Sequence, residues 1–138
     1  MAQQTLILVK PDGVQRGLVG EILRRIESKG YRITRMRMLT ATDEQLASHY
    51  HEHTAKPFYP GMAEYMKSGP IVAAVVEGNR VIEGVRSLSG ATDPTSAAPG
   101  TIRGDLGRDW GDGQIRNLIH SSDGEESAAH EIGVWFSE

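Results

Sequence analysis

The 138-residue sequence predicts an α+β sandwich, in which helices pack against one face of a mainly antiparallel sheet. Apolar runs of strand length alternate with segments whose apolar residues recur at helical spacing. Turn and capping residues separate these segments, and no internal repeat or linker divides the chain. The chain is also long enough to bury a complete core, so we expect a single domain over residues 1–138.

The first strand and the first helix have clear boundaries in the sequence. Residues 5–10 form a continuous apolar run with β-branched members, which predicts a central strand covered on both faces. Residues 11–13, Pro-Asp-Gly, predict a turn directly after it. Apolar residues then recur at helical spacing over 18–26, and Gly30 follows as a stop signal, so we expect a helix that ends before this glycine.

A second strand is predicted over residues 31–39, followed by another helix. The apolar alternation of this strand changes phase within 33–36, which indicates either a β-bulge or a strand covered on both faces. The segment Thr42-Asp-Glu-Gln45 has the form of a capping box and opens the next helix. One face of that helix carries Leu46, Tyr50 and His53.

The middle of the chain is predicted to contain a loop, a short helix, a strand and a longer helix. Residues 57–61 form the loop, with two prolines and two aromatic rings. Residues 62–67 are predicted to be helical, and residues 70–76 to form a buried strand stopped by Gly78. Asn79 is predicted to cap the following helix. The inner side of that helix carries Val81, Ile82, Val85 and Leu88.

The last third of the chain alternates between loops and short elements. Residues 90–104 are rich in Gly, Ala, Pro, Ser and Thr, and loops of this length are usually functional or disordered. Residues 105–114 predict a second surface loop. We expect a short extended segment at 117–120, a helix over 123–130 and a final strand over 131–136.

Composition excludes several classes of function. The sequence has no cysteine, which excludes disulfides, thiolate catalysis and zinc–thiolate sites. No apolar run approaches the roughly 20 residues that a membrane-spanning helix needs. The chain starts with Met1-Ala-Gln-Gln, which lacks the pattern of a signal peptide. Because the net charge of −3 also disfavours general binding to nucleic acid, we expect a soluble cytoplasmic protein without membrane or nucleic-acid partners.

His120 stands where an apolar run meets a helix-start signature. Ser121, Ser122 and Asp123 follow it, and these residue types cap helix N-termini. Backbone N–H groups at such a position attract anions, including phosphate. Neutral imidazole is nucleophilic near neutral pH and can accept a phosphoryl or acyl group without a separate base. This segment alone is compatible with a histidine packed at the rim of the core or with a nucleophile.

Cationic side chains predict a phosphate site. Arg86 and Arg103 bracket the loop 90–104, and a guanidinium group can bind phosphate oxygens bidentately. Lys10, at the exit of the first strand, can face either a cleft or solvent. The G-x-x-x-x-G-K-[ST] motif of P-loops is absent. The cluster His49-Tyr-His-Glu-His53 invites interpretation as a metal site, but no H-E-x-x-H motif accompanies it and none is predicted.

Seven motifs, in order along nearly the whole chain, resemble those of the nucleoside diphosphate kinases. They are Thr5-Leu-Ile-Leu-Val-Lys-Pro-Asp-Gly13, His49-Tyr-His-Glu-His53, Lys56-Pro-Phe-Tyr-Pro-Gly61, Ser68-Gly-Pro70, Gly90-Ala-Thr-Asp-Pro94, Ala98-Pro-Gly-Thr-Ile-Arg-Gly-Asp105 and Asn117-Leu-Ile-His-Ser-Ser-Asp123. Such a series is far more specific than any single motif. It favours the interpretation of His120 as a nucleophile.

The resemblance implies a ferredoxin-like βαββαβ fold and reversible transfer of the γ-phosphoryl group from a nucleoside triphosphate, typically ATP, to a nucleoside diphosphate. His120 matches the family's nucleophile, which is phosphorylated in a ping-pong cycle. Glu131 matches the carboxylate that hydrogen-bonds the other ring nitrogen, and Ser122 matches the hydroxyl that supports it. Lys10 and Tyr50 match groups beside the transferred phosphate, where they would offset developing charge.

The resemblance also implies where the nucleotide binds. The matching residues are Arg86, Thr92 and Arg103 for the outer phosphates, Asn117 with Lys10 for the sugar hydroxyls, and Phe58 for stacking of the base. Stacking reads the flat face of a base rather than its hydrogen-bonding edge, so low selectivity among bases is expected. Mg²⁺ is expected to arrive with the nucleotide, held chiefly by phosphates and water. A homo-oligomer built from dimers is also implied.

The sequence departs from the family's pattern at three places, one of which is its end, just after the predicted last strand and without the longer tail that helps many members assemble, so that both a tetramer and a hexamer stay open. The loop 106–116 is longer than usual, and Trp110, Gln114 and Ile115 are all candidates to face the base. Ser121 stands where the family commonly has glycine. The altered loop and Ser121 leave an alternative function open, in which the protein is a nucleotide-binding regulatory module with impaired turnover. A second alternative is a nucleic-acid-binding ferredoxin-like module, which the aromatic content of 6% and the acidic last quarter of the chain disfavour.

Overall fold

The computed structural model describes residues 2–137, which fold around a four-stranded sheet. The strands are β1 (Ala2–Val9), β2 (Arg32–Leu39), β3 (Ile71–Asn79) and β4 (Ile119–Ser121). Their order across the sheet is β2-β3-β1-β4, and every neighbouring pair is antiparallel. This arrangement, with helices packed on the sheet, confirms the predicted α+β fold of the ferredoxin-like βαββαβ type.

Seven helices connect and cover the strands within residues 2–137. They are α1 (Pro11–Gln15), α2 (Val19–Ser28), α3 (Asp43–His49), α4 (Tyr59–Met66), α5 (Val81–Ser89), α6 (Ile102–Leu106) and α7 (Glu125–Trp135). Helices α2 and α5 pack on one face of the central strands, whereas α3, α4 and the end of α7 pack on the other. The prediction that helices cover a single face is therefore wrong, because the central strands are apolar on both sides.

Strand β1 shows how the two cores are separated. Ile7 and Val9 pack into one cluster, Leu6 and Leu8 pack into the other, and all four side chains are fully buried. This confirms that the first strand is central and covered on both faces. It also places Lys10 directly at the exit of a rigid, buried strand.

Strand β2 lies at the edge of the sheet and is largely exposed. Its pairing with β3 shifts register between Ile33 and Arg35. Met36 and Met38 are 57% and 60% exposed. The change of phase in this strand is therefore a β-bulge, and the alternative of a strand covered on both faces is wrong.

Two helix boundaries predicted from the sequence are confirmed. The side chain of Thr42 accepts a hydrogen bond from Gln45 N (3.1 Å), and the side chain of Gln45 accepts one from Thr42 N (3.0 Å), which is a capping box. Helix α2 ends before Gly30, whose φ of 103° is readily adopted by glycine. Helix α3 ends at His49, so His53 lies beyond the helix face on which it was predicted.

The C-terminal segment 131–136 is the clearest wrong prediction, because residues 131–135 form the end of α7 and Phe136 caps it, so that no strand forms there. Ala128, Glu131 and Trp135 are buried at spacings of three and four residues, which is the helical period. A continuous apolar run does not distinguish a buried strand from a buried helix by periodicity alone. The helix predicted over 123–130 therefore begins at Glu125 and continues past its predicted end.

Three shorter segments in the first two thirds of the chain also differ from prediction. Residues 11–13 begin α1, because proline is compatible with the first helical turn. Helix α4 begins at Tyr59, inside the predicted loop. Asn79 does not cap α5, because it pairs with Ala2 as the last residue of β3, and Arg80, with φ 53°, precedes the helix.

The predicted long loop 90–104 is not irregular throughout. The side chain of Thr101 accepts a hydrogen bond from Gly104 N at 2.9 Å and caps α6. The short extended segment predicted at 117–120 corresponds to β4, which pairs with the end of β1. None of the helices within residues 2–137 has the length and apolar character required to cross a membrane.

Candidate active site

An open cleft of about 720 Å³ lies beside β4 and is bordered by residues of α3, α5, α6 and α7. Eight of the ten residues predicted for the site line it, namely Lys10, Tyr50, Arg86, Thr92, Arg103, Asn117, His120 and Glu131. Ser122 is fully buried behind this surface. Phe58 lies outside the cleft lining and is 54% exposed. The structure thus brings together the residues predicted to bind phosphate and the predicted nucleophile, and the ring of Phe58 lies beside the cleft, 5.7 Å from the ring of the lining residue His53.

His120 is held by one of its two ring nitrogens. It pairs with Leu8 in the sheet, and its Nε2 lies 2.8 Å from Glu131 Oε1. Ser122 Oγ donates to the same carboxylate oxygen at 2.7 Å. A carboxylate acceptor places the imidazole proton on Nε2, so Nδ1 carries the lone pair of the neutral ring. Within residues 2–137 no side chain or backbone group bonds that Nδ1, and His120 lines the cleft.

A buried pair of rings packs beside the nucleophile candidate. The Trp135 indole N–H donates to His49 Nδ1 at 2.9 Å, and the His49 ring lies edge-on to His120, with 4.5 Å between ring centroids. Burial, followed by the nearby charges of His120 and Lys10, lowers the pKa of His49 to about 2. His49 is therefore neutral. Sequence reasoning missed this packing, because Trp135 is distant along the chain and its segment was predicted to be a strand.

His49, His120 and Glu131 offer possible metal-ligating atoms that all lie within 4.8 Å of one another. The indole N–H of Trp135 already uses the lone pair on His49 Nδ1, because indole can only donate. The single proton of the neutral His49 ring must then be on Nε2, which leaves no lone pair for an ion. The cluster is therefore arranged for hydrogen bonding around the nucleophile candidate and not for coordinating a metal.

Lys10 and Asn117 form a polar link on the wall of the cleft. Lys10 Nζ donates to Asn117 Oδ1 at 2.8 Å, and Asn117 Nδ2 donates to Thr92 O at 3.0 Å. Burial of the ammonium group, followed by the charge of Arg103, lowers the pKa of Lys10 to about 8. Lys10 is thus a cation that can lose its charge near neutral pH.

Arg103 serves as a structural brace as well as a cation. It donates from Nε to Asn117 O (3.1 Å), from Nη1 to Gly90 O (2.9 Å) and from Nη2 to Ile119 O. These bonds use three of its five N–H donors and leave two for a ligand. Burial, followed by the charge of Arg86, lowers the pKa of Arg103 to about 10, so it stays charged at neutral pH.

Arg86 and Tyr50 complete the polar surface around the nucleophile candidate. Arg86 Nη1 has a long hydrogen bond of 3.5 Å to Ser121 O, which leaves its guanidinium group largely available. Ser121 itself sits in regular pairing with Ile7, so its side chain is accommodated by the strand. Burial, and then the charge of Glu131, raises the pKa of Tyr50 to about 12, so its phenol remains a hydrogen-bond donor at neutral pH.

The loop 106–116 contributes no residue to the lining of the cleft. Two guanidinium groups lie over the ring of Trp110, that of Arg16 at 5.3 Å and that of Arg108 at 4.6 Å from the ring centroid. Ile115 is 66% exposed. Neither Trp110, Gln114 nor Ile115 belongs to the residues that line the cleft.

Comparison with known sequences supports a specific family. The family model described as nucleoside diphosphate kinase matches residues 3–138. The nucleoside diphosphate kinase of Streptomyces avermitilis is 56% identical over 138 residues, which cover 99% of this chain and 97% of that protein. The nucleoside diphosphate kinase of Archaeoglobus fulgidus is 52% identical over 136 residues, covering 99% of this chain and 87% of that protein.

Solved structures agree with the sequence comparisons. The nucleoside diphosphate kinase of Halobacterium salinarum in complex with CDP superposes with a TM-score of 0.92 and 44% identity, covering 100% of this chain and 90% of that chain. A transition-state mimic of the Borrelia burgdorferi enzyme, with bound vanadate and ADP, gives a TM-score of 0.91 and 36% identity, covering 99% and 88%. The chain therefore belongs to the nucleoside diphosphate kinase family.

Proposed function

We propose that this nucleoside diphosphate kinase carries the transferred phosphoryl group on Nδ1 of His120. The observation that carries this proposal is the hydrogen bond between His120 Nε2 and Glu131 Oε1 (2.8 Å). That bond fixes the ring and leaves the Nδ1 lone pair at the surface of a cleft lined by three cationic side chains. A phosphoryl donor would bind there with its negative oxygens among the cations.

The reaction then proceeds in two half-reactions at one site. In the first, the Nδ1 lone pair attacks the γ-phosphorus of a nucleoside triphosphate. An N–P bond forms while the bond to the bridging oxygen breaks, and the nucleoside diphosphate leaves with that oxygen. In the second, a terminal oxygen of another nucleoside diphosphate attacks the same phosphorus. An O–P bond forms while the N–P bond breaks, and the electron pair returns to Nδ1 of the neutral histidine. Because the enzyme stores the phosphoryl group, donor and acceptor use the site in turn.

The surrounding side chains have distinct roles in this proposal. Lys10 and the neutral phenol of Tyr50 stabilise charge on the transferred group. Arg86 and the two free donors of Arg103 bind the outer phosphates. Ser122 holds the carboxylate of Glu131 in place. The charged groups thus act on the phosphates, while the hydrogen bonds to Glu131 orient the nucleophile.

The rest of the nucleotide extends from the cleft toward exposed residues. Thr92 would help to bind the phosphates. Asn117, which accepts a hydrogen bond from Lys10, would bind the sugar hydroxyls. Phe58 would stack on the base, which supports broad specificity because every base presents a flat face. The relatives solved with CDP and with ADP hold a pyrimidine and a purine nucleotide. We also propose a cytoplasmic location, because the reaction needs nucleoside triphosphates as phosphoryl donors.

Kinases that act on nucleotides generally use a divalent ion, and we propose Mg²⁺ for this chain. Lys10, Arg86 and Arg103 line the cleft and would repel a bare cation, whereas the exposed carboxylates of Asp123 and Glu126 lie on its lining. This donor set fits an ion that arrives on the nucleotide, held chiefly by phosphate oxygens and water. When bound, Mg²⁺ would neutralise part of the phosphate charge.

We also propose a homo-oligomer built from dimers. Strand β2 is an edge strand that pairs with β3 on one side. Its exposed Met36 and Met38 supply apolar surface next to unpaired backbone groups, and such edges are usually covered. Sedimentation velocity measures the assembly directly. A monomer across the micromolar range would contradict this part of the proposal.

The experiment that tests the nucleophile is intact mass spectrometry after incubation with ATP and Mg²⁺. We expect one added phosphoryl group, acid-labile, absent in His120→Ala and discharged by either GDP or CDP. His130→Ala, which removes an exposed histidine of α7, is the matched control and should still be phosphorylated. Phosphorylation that persists in His120→Ala would refute the assignment. Nucleotide-induced thermal stabilisation without any gain of mass would instead identify a regulatory module without turnover.

A further inference from the structure

Leu118 has an unusual backbone conformation immediately before the nucleophile strand. Its φ is 71°, and it is one of two non-glycine residues with positive φ among residues 2–137. Ile119 N donates to Asn117 O at 2.8 Å, which closes a three-residue γ-turn centred on Leu118. A γ-turn with positive φ at its centre is rare and strained, and a bulky residue is disfavoured there. The surrounding contacts must therefore hold this turn.

The carboxylate of Asp12 hydrogen-bonds the backbone of the strained residue. Leu118 N donates to Asp12 Oδ2 at 3.2 Å, while Leu118 O accepts from Lys10 N at 2.8 Å. Both Leu118 and Asp12 are buried, so neither group can exchange its partner for bulk water at low cost. The backbone of Leu118 is thus bonded on both sides by the segment that follows β1.

Tyr65 in turn holds the carboxylate of Asp12. Its hydroxyl donates to Asp12 Oδ1 at 2.6 Å and accepts from Asp12 N at 3.1 Å. Burial, and then the hydrogen bond to Asp12, raises the pKa of Tyr65, so the phenol remains a donor. One carboxylate oxygen of Asp12 therefore accepts a hydrogen bond from Tyr65, and the other accepts one from Leu118 N in the γ-turn.

The γ-turn sits between two groups of the proposed site. Asn117, on one side, accepts from Lys10 Nζ, and His120 lies two residues beyond Leu118. If Leu118 relaxed to a negative φ, the peptide groups on both sides would rotate and move Asn117 relative to His120. A small loss of geometry at a reacting centre costs far more rate than binding.

We propose that Asp12 is a positioning residue for phosphoryl transfer, which acts by accepting the Leu118 amide and so holding the γ-turn that aims Asn117 and His120. This inference rests on the proposed role of His120 as the phosphoryl carrier. Asp12 touches neither the nucleophile nor the cleft surface. Its charge lies near Lys10 and Arg103, so the test has to separate loss of the acceptor from loss of the charge.

Two substitutions at this position separate those effects. Asp12→Ala removes both the acceptor and the charge. Asp12→Asn removes the charge but keeps an oxygen for the Leu118 amide, while its NH2 can donate to the Tyr65 hydroxyl. Ile26→Ala is the matched control for lost stability, because Ile26 is buried on α2, a helix that carries no proposed site residue. All variants are compared with the parent protein, at temperatures well below each melting temperature.

The measurement is the rate of His120 phosphorylation in a single turnover, at saturating and at subsaturating ATP. We expect Asp12→Ala to be slower by about tenfold or more at saturating ATP, and Asp12→Asn to stay within about threefold of the parent. The ATP concentration that gives half of the maximal rate should change by a smaller factor than the maximal rate itself. Ile26→Ala should lower the melting temperature and leave the rate unchanged.

Each other outcome would overturn the inference. An Asp12→Ala protein that is phosphorylated as fast as the parent would show a purely structural role. Equal slowing in Asp12→Ala and Asp12→Asn would show that the charge matters and not the acceptor. If Asp12→Ala does not fold, Tyr65→Phe replaces it, and an unchanged rate in that variant would refute the inference. A parent that takes up no phosphoryl group would instead refute the proposed function.

Discussion

The carboxylate of Glu131 offers the sharpest test of how His120, the proposed nucleophile, is activated. Its Oε1 accepts two hydrogen bonds, from His120 Nε2 at 2.8 Å and from Ser122 Oγ at 2.7 Å, and the residue is 8% exposed. In Glu131→Gln the amide oxygen should keep this place, because both neighbours need an acceptor there. The substitution therefore removes charge while preserving the hydrogen-bond pattern and the Nε2–H tautomer.

The expected magnitudes follow from the strength of these bonds. A hydrogen bond to a charged group contributes about 1.5–3 kcal/mol, and a neutral one about 0.5–1.5 kcal/mol. Their difference, about 1–1.5 kcal/mol, predicts that Glu131→Gln phosphorylates His120 about 5–12-fold more slowly than the parent. Glu131→Ala removes the whole bond and should be slower by about 10–150-fold.

Quench-flow measurement of phosphoenzyme formation at saturating ATP gives these rates directly. Glu125→Gln, which removes an exposed carboxylate from the first turn of the same helix, is the matched control and should behave like the parent. If Glu131→Gln matched the parent, the carboxylate charge would play no part in activating the histidine. If Glu131→Ala also matched it, the hydrogen bond itself would be dispensable and the reasoning would fail.

The remaining predictions concern the charge of Lys10 and the packing around two glycines. The pKa of Lys10 is lowered from 10.5 to about 8, so kcat/KM for ATP should fall as pH rises through about 8, and Lys10→Gln should lose this dependence. Between about pH 8 and pH 10.5, Lys10 carries a proton in the unfolded chain but not in the folded chain. The contribution of Lys10 to the free energy of unfolding therefore rises with pH across this range. Gly104→Ala would place a Cβ 2.0 Å from Ala98 O, and we expect urea unfolding to show a destabilisation of about 2 kcal/mol or more. Because the neighbouring Arg103 must then move, calorimetry should also show weaker binding of ADP. Gly133→Ala, on an exposed part of α7 with no atom within 4 Å of the new Cβ, should instead stabilise the protein by about 0.5–1 kcal/mol.

Local sequence patterns predicted those elements whose residues interact with their own neighbours. The capping box of Thr42 and Gln45 joins residues three positions apart, and the stop at Gly30 depends on one backbone angle. The segment 131–136 was predicted wrongly because its apolar run has the same appearance in a buried strand and in a buried helix. Only the packing of Trp135 against the second core distinguishes the two.

The site depends on contacts that no local pattern contains. The pairing of His120 with Glu131 was expected from family resemblance and not from spacing, and the structure places their atoms 2.8 Å apart. The hydrogen bond from Trp135 to His49 joins residues 86 positions apart, and that from Leu118 to Asp12 joins residues 106 positions apart. Such contacts form only once the strands have paired, so local propensities carry no signal for them.

Arg103 combines two proposed roles, because it would bind phosphate and also hold the turn that precedes His120. Its guanidinium group donates to the carbonyls of Asn117 and Ile119, the two residues that flank the strained Leu118. Arg86, by contrast, has one long bond, to Ser121 O. Loss of Arg86 should therefore mainly weaken phosphate binding, whereas loss of Arg103 also releases the γ-turn beside the nucleophile. The cation that we propose to bind the phosphates thus also braces the turn that we propose to orient the nucleophile, and we expect its substitution to change nucleotide affinity and transfer rate together.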